Sequence, residues 1–408
     1  MDLSSDERND LLFVNFNQDS GCFATGTNNG FCIYNVEPFQ ETFKREFPSG
    51  GIGIVEMLFR CNLLALVGGG RNPRYPRNKV MIWDDHQNRC IGELSFRNEV
   101  CSVRLRRDKV VVALASKVYV YRFSDLRLLD QIDTYDNPRG LIAISVDASS
   151  CVLACPGPKK GHVAVELSDI QRTNLIAAHE AELAAIALNS DGTRLATSSN
   201  KGTLIRVFDT HTGDLLQELR RGMDHADVNC ICFNNNCSFL ACASDKGTVH
   251  IFSLNKKVRI DEDEETKASI EDMKADKLEK NRKSGFSLLG KIIPGTSNYL
   301  GSEWSCAQVR GLDVRSLCAF GTQPHTLAII GADGSFRMVN FENGGESEQI
   351  SYENFLSSPD GLEEDDDDSF PRQHTVDTNE TANWADRGNE SEDSHGEQPN
   401  NSSQEEKS

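Results

Sequence analysis

Long hydrophobic runs are missing from this sequence. No stretch of about 18 apolar residues occurs, so no segment is expected to cross a bilayer as a helix. The N-terminus, MDLSSDERNDLLF, is acidic and lacks a basic segment followed by an apolar one, so no secretory signal is expected. The 13 cysteines are odd in number and contain no Cys-x-x-Cys pair, which argues against a zinc site or a disulfide framework. Most lie in apolar runs, such as Cys230 and Cys232 in VNCICF and Cys242 in FLACAS, as buried free thiols of a reducing compartment do. Gly-x-Ser-x-Gly, P-loop and His-Glu-x-x-His motifs are absent, and the run Gly68-Gly69-Gly70 opens no helix. An enzyme is therefore not expected, nor a metal or other cofactor.

Charge is unevenly spread. The formal net charge is −19, but residues 357–408 hold sixteen acidic and three basic side chains and account for −13 of it. The preceding 356 residues carry only −6, so an anionic partner is not excluded. No broad basic face is evident, which speaks against nucleic-acid binding. The acidic stretch, with EEDDDD at Glu363–Asp368, has no apolar periodicity; it is expected to be disordered, leaving 1–356 as the folded domain.

Helical periodicity is scarce. Short runs of β-branched and aromatic residues alternate with Gly, Asn and Asp turns, which points to an all-β fold. The run LAAIALNSDGTRLATSSNKGTLIRVFDT (183–210) aligns with VNCICFNNNCSFLACASDKGTVHIFSL (228–254) around Asn200-Lys201-Gly202-Thr203 and Asp245-Lys246-Gly247-Thr248. The same turn recurs near Gly30, Asn78, Lys117, Gly161 and Gly334, at spacings of 48, 39, 44, 41, 45 and 87 along the chain. Five of these six spacings fit the ~40–45-residue period of WD-type blades, and the sixth is one blade plus an insertion at about 255–303. Seven copies predict a seven-bladed WD-type β-propeller with a long rim loop in blade six. Trp83-Asp84 is the one true Trp-Asp at the end of a third strand, and Phe208-Asp209 takes the equivalent place in the fifth repeat. Propellers often close by exchanging a strand between their termini; Leu11–Phe16 and the last blade are the expected participants.

The fifth repeat ends in Leu219-Arg220-Arg221-Gly222. On an outer strand, adjacent side chains point to opposite faces, so the two arginines are expected to serve separate pockets. A guanidinium gives a phosphate two parallel charge-assisted hydrogen bonds. Gly222 lets the backbone turn away without a side chain over the pocket. Blade five supplies His179, Ser198, Lys201 and Thr203; blade six supplies His225, Ser244, Lys246, Thr248 and His250. Two readings stand for these neighbours: phosphate and polyol ligands, or turn residues and a satisfied core histidine that stabilise the blades.

With these residues in place, the chain resembles the PROPPIN family, the WIPI proteins of animals, whose signature is Phe/Leu-Arg-Arg-Gly between blades five and six. The resemblance covers about residues 10 to 356 and includes NKVMIWDD, LRRDKVVVAL, NPRGL and SDKGTVHIF; its wording is nearest the WIPI-three/four-like branch. It implies binding of phosphatidylinositol 3-phosphate and phosphatidylinositol 3,5-bisphosphate in membranes, in autophagosome formation. Arg220 with His179 and Thr203 would make one pocket, and Arg221 with Ser244, Thr248 and His250 the other. It also implies contact with an autophagy lipid-transfer protein, for which Asn17 and Asp19 are candidates beside the plain reading of an Asn/Asp turn. A cytoplasmic monomer, peripheral on phagophore, autophagosomal or endosomal membranes, is expected. A WD-repeat adaptor without lipid binding is the rival.

The insertion sits between VHIFSL and EWSCAQV, the presumed third and fourth strands of blade six. Its later part places five basic residues between Lys277 and Lys291 beside Phe286, Leu288, Leu289, Ile292 and Ile293, the composition of an interfacial membrane segment. The same cluster folded back on the propeller wall is the other reading.

Overall fold

The computed structural model describes residues 10–48, 50–254, 281–283 and 302–356. Among the described residues seven sheets follow one another along the chain, each with four antiparallel strands; in blades one to five the four are consecutive, whereas blades six and seven reach past intervening short strands for their fourth. Their innermost strands surround a cavity of about 790 Å³, lined by residues of every blade from Phe13 in the first to Cys318 in the seventh. The fold is the seven-bladed propeller expected from the repeat. All seven turn positions fall at the entry to a third strand, and the long 48-residue first interval reflects the extended hairpin of blade two between Gly68 and Lys79.

Burial explains the residue choice. The second and third strands are covered on both faces, so Lys109–Ala113 reads as a near-continuous apolar run, whereas the outer strand Leu128–Asp133 of the same blade is largely exposed. The core is a series of layers between blades. Ala196, Ile205 and Leu219 of blade five pack with Val228, Leu240 and Phe252 of blade six, while Leu195 and Phe208 face Val152 and Val163 of blade four. Two turns require glycine. Gly202 has φ +63°, and a Cβ there would meet the Ala226 carbonyl at 1.9 Å. Gly247 has φ +65° and faces the Leu312 carbonyl. Asp84, of the Trp-Asp pair, accepts from Asn62 Nδ2 (2.6 Å) and Gln87 Nε2 (2.7 Å), and Asp209 likewise caps the turn at His211 and Thr212.

Ring closure differs from expectation. Leu11–Phe16 is the first strand of blade one, and blade seven takes its fourth strand, Glu348–Asn354, from its own sequence. No position in the last blade is left for the N-terminal strand. Side chains close the ring instead: Phe23 stacks on Phe336 at 6.0 Å and Phe39 on Phe336 at 4.7 Å, among Leu11, Val14, Leu317 and Ile330. The presumed fourth strand of blade six also divides. Ala307–Val309 pairs with Val249–Ile251, but Glu303–Trp304 runs parallel to Leu219–Arg220 at the outer edge of blade five.

Asn17 and Asp19 build a turn that recurs. Asn17 Oδ1 accepts from Cys22 N (3.1 Å) and Asp19 Oδ1 from Gly21 N (2.9 Å). Asn189 and Asp191 do the same for Arg194 N and Thr193 N, and Asn234 and Asn236 for Phe239 N and Ser238 N. Asn17 is 6% exposed and also donates to the Phe59 carbonyl of blade two (3.2 Å). Asp19 is more open and pairs with Arg60 at 3.0 Å. Asn17→Ala, which strands a buried backbone N–H, is expected to cost about 1–3 kcal/mol in urea unfolding. Asp19→Ala, at an exposed ion pair, is expected to cost under about 1 kcal/mol. Equal effects would contradict this division of roles.

Candidate functional site

The arginine pair lies where the outer strand of blade five, Leu215–Arg220, runs out of apolar cover. Leu219 opposes Ile205 and is buried between blades five and six. Arg220 opposes Leu204, one residue on, and so points to the other face, the side of Glu218 and Arg206. Both guanidinium-bearing residues are buried, Arg220 at 7% and Arg221 at 5% exposure. Such burial requires hydrogen-bond partners. Arg220 Nε donates to Ser302 Oγ at 2.9 Å. Arg221 Nε donates to the Gly202 carbonyl at 2.7 Å and Nη2 to the Asp224 carbonyl. Its own N–H is held by the Thr203 carbonyl at 3.0 Å.

On the blade-six side, His250 is buried, with Nδ1 3.2 Å from Ser305 Oγ. Gln308, opposite His250 in register, donates to the same hydroxyl at 2.9 Å and accepts from Arg310 Nη2 at 3.0 Å. Burial first, then the charges of Arg221 and Arg310, push the His250 imidazole down to about 4. Arg310 is thus a third cation near this cleft, missed in the sequence because it follows the insertion, well away from the repeat turns. Ser244 is buried and Thr248 half-buried in the adjoining turn, where Ser244 Oγ accepts from Lys246 N at 3.4 Å. Lys246 is exposed beside Asp245, and His225 is exposed.

On the blade-four side, His179 Nε2 lies 3.0 Å from Thr197 Oγ1. Burial first, then the charge of Arg206, push this imidazole down to about 4. Arg206 donates to Glu218 Oε2 (2.9 Å) and to the Ala178 carbonyl (2.7 Å). Thr197 and Arg206 were not legible as neighbours of His179, because only the facing of two strands brings them there. Ser198 alternates with Thr197 and opposes Ile205, which faces blade six; it is fully buried and does not join His179. Thr203 is half-buried and Lys201 exposed at the turn beneath the arginines.

Residues 281–283 tie the insertion to this site. Arg282–Lys283 pairs with Glu303–Trp304, itself paired with Leu219–Arg220. Asn281 holds Ser253 through both its amide atoms and donates to Glu303 Oε2 at 2.7 Å. Phe286, Leu288, Leu289, Ile292 and Ile293 lie outside the described residues, as does the acidic C-terminal stretch. Among the described residues no helix is long and apolar enough to cross a membrane, and no cluster of His, Cys, Asp and Glu suits a metal ion.

A seven-bladed propeller with paired buried arginines between blades five and six defines a narrow class. The PROPPIN family model matches residues 10–275, and the chain belongs to that family. It is 36% identical to Autophagy-related protein 18e of Arabidopsis thaliana over 85% of this chain and 88% of that one. Among solved structures, Hsv2 of Kluyvelomyces marxianus superposes with a TM-score of 0.64 at 24% identity, covering 86% of this chain and 100% of that one. KlAtg21, solved in complex with the coiled-coil of AgAtg16, superposes with a TM-score of 0.64 at 25% identity, covering 85% of this chain and 99% of that one.

With both histidines uncharged at neutral pH, positive charge at the site rests on the arginines and on the turn lysines Lys201 and Lys246. Their folded-state values lie below the ordinary ~6.5, so the unfolded chain binds more protons between about pH 4 and 6.5. Their stabilising contribution is complete above that window and is lost as pH falls through it. Imidazole NMR is expected to show His179 and His250 titrating near 4, and His179→Asn with His250→Asn is expected to flatten the acid loss of stability. Titration of either ring near the ordinary value would contradict this.

Proposed function

We propose that this chain is a phosphoinositide-binding scaffold of autophagosome formation, recognising phosphatidylinositol 3-phosphate and phosphatidylinositol 3,5-bisphosphate through two clefts beside Leu219-Arg220-Arg221-Gly222. The carrying observation is that two consecutive arginines, both buried, sit where one strand ends, Arg220 on the face of Glu218 and Arg221 one residue beyond, among the charges acting on His250. Burying two cations at one strand end costs desolvation that hydrogen bonds must offset, and a bound phosphate would offset it further. Arg221 stands with His250 and Arg310, and Ser244 and Thr248 supply hydroxyl groups in the adjoining turn. Arg220 stands on the face of Arg206 and Glu218, and Arg206 in turn is the charged neighbour of the His179–Thr197 pair. Neutral imidazoles offer hydrogen bonds to head-group hydroxyls while the guanidinium groups take the phosphates. Family membership supports the reading, as does the autophagy-related name of the Arabidopsis relative.

The chain would act on the cytoplasmic face of phagophore, autophagosomal or endosomal membranes as a monomer without catalysis. Two weak head-group sites, with the apolar residues Phe286 to Ile293 as a third contact, would give residence by avidity. Blades one to three would stay open to protein partners such as a lipid-transfer protein. The coiled-coil bound by KlAtg21 favours an additional adaptor role.

Liposome co-sedimentation tests this, with and without phosphatidylinositol 3-phosphate. The wild-type chain is expected to pellet only with the lipid. Arg220→Thr with Arg221→Thr, its fold checked by circular dichroism, is expected to lose at least about tenfold in affinity, as befits two charge-assisted contacts. Arg310→Ala is expected to weaken binding partially. Equal sedimentation of wild type and the folded double variant would leave the protein adaptor as the better reading.

A further inference from the structure

Three cysteines that the lipid clefts do not use meet inside the ring. Cys230 and Cys232 alternate on the innermost strand of blade six, and Cys318 lies on the innermost strand of blade seven. All three line the central cavity of about 790 Å³. Cys232 Sγ lies 3.9 Å from Cys318 Sγ, and Cys230 Sγ donates to the Cys318 carbonyl at 3.3 Å. We propose that these thiols form a peroxide-responsive site in the central cavity, whose oxidised form is a disulfide joining Cys318 of blade seven to blade six, with Cys232 as the near partner.

The geometry suits this chemistry. A disulfide needs about 2.05 Å between sulfurs, so the Cys232–Cys318 pair must close by about 1.9 Å, within reach of side-chain rotation at two residues. The cavity supplies entry for a small oxidant, since it opens onto both blades that carry the thiols. Hydrogen bonds from Cys232 and Cys318 hold the Cys230 thiol below the ordinary range, while the same shared bonds, and then burial, push the other two up. The thiolate is the nucleophile, so a blade-six thiol, Cys230 or Cys232, attacks the peroxide first. Its sulfur takes one oxygen from hydrogen peroxide; the O–O bond breaks, and the departing hydroxide accepts a proton to leave as water. The Cys318 thiol then attacks the sulfenic sulfur, the S–O bond breaks, and a second water leaves with the disulfide. Where Cys230 reacts first, exchange with the Cys232 thiol moves the bridge to the closer pair and returns Cys230 to its reduced form. In sum, two thiols and one peroxide give one disulfide and two waters. Either cross-blade product ties blade seven to the blade that carries Ser244 and His250.

Peptide mapping of the full chain decides the matter. Cys61→Ser removes an exposed thiol and serves as the background. The protein is treated with hydrogen peroxide, alkylated with iodoacetamide and digested with trypsin. Peptide 316–337 contains Cys318 as its one cysteine, and peptide 222–246 contains Cys230 and Cys232. The expected result is a cross-linked pair of these two peptides, about 2 Da lighter than their sum, with two alkylatable thiols lost per chain. Dithiothreitol is expected to reverse both readings. Fragment ions then distinguish Cys232 from Cys230, Cys237 and Cys242 as the blade-six partner. Recovery of peptide 316–337 unlinked and alkylated from the oxidised protein would overturn the proposal. A bridge to Cys237 or Cys242 would do the same. Cys318→Ser is expected to abolish the loss of two thiols; an unchanged loss in that variant would place the oxidation elsewhere. The wild-type peptide map stands by itself if the variant does not fold.

Discussion

Each blade of this propeller has two apolar faces and no means of covering either alone. Every other feature follows from that constraint. A sheet whose second and third strands are buried on both sides must meet a neighbour at each face, so the sheets close into a ring. Here the last contact in that ring is non-covalent and involves no shared strand. Phe23, Phe39 and Phe336 stack where blade one meets blade seven, and the apolar side chains of Leu11, Val14 and Ile330 fill around them. Aromatic stacking supplies more area per residue than aliphatic packing, which suits a seam that no hydrogen-bonded ladder crosses. The link from Thr322 to Glu37 adds a polar contact across the same seam.

The same constraint locates the polar chemistry. Between neighbouring blades the layers are apolar until a strand ends, and there the backbone groups of turns become available. Arg221 exploits this: its partners are the carbonyls of Gly202 and Asp224, both in turns. Gly202 must keep a positive φ for its carbonyl to stand there, since a side chain would strike the Ala226 carbonyl. The glycine that marks the repeat in the sequence is therefore also part of the arginine's support. Arg220 depends on a different device. Ser302 and the short Glu303–Trp304 segment cap the outer edge of blade five, a position most blades of this ring leave open.

Much of this was legible in the sequence, for a physical reason. A turn that needs positive φ admits glycine and few other residues, so a repeat of such turns survives where strands themselves have diverged. The opposite facing of Leu219 and Arg220 follows from the two-residue period of a strand. The same period hides other features. Thr197 and Ser198 are adjacent, similar and both buried, yet only Thr197 meets His179. Irregular register between Leu183 and Ala185, and between Val207 and Phe208, shifts which residues share a face within blade five. Pattern alone does not show where such a bulge falls. Contacts between sheets, such as Arg206 with the Ala178 carbonyl or Arg310 near His250, depend on ring geometry that no local spacing encodes.

Asn17 and the cysteines show how role follows from location within the ring. The Asn-x-Asp turn of blades one and five recurs in blade six as Asn-x-Asn, and in each it serves the backbone of its own hairpin. In blade one the same amide reaches to the Phe59 carbonyl, and Gln18 beside it donates to the carbonyls of Met57 and Leu105. Three successive blades are thus stapled by two neighbouring side chains. A partner that approached this face would meet Asp19 and Arg60 at the surface, with Asn17 beneath them as support. The central thiols are arranged by a different logic. Innermost strands turn a free backbone edge toward the cavity, and their side chains alternate between the two neighbouring inter-blade layers. Cys230 and Cys232 share one phase of that alternation, and Cys318 of the next blade reaches the same space. Small polarisable side chains fit where neighbouring innermost strands converge, and sulfur tolerates burial without a hydrogen-bond partner. Packing accounts for one cysteine at such a place. Three within contact of one another put reactive groups together, and the ring that holds them fixes their spacing.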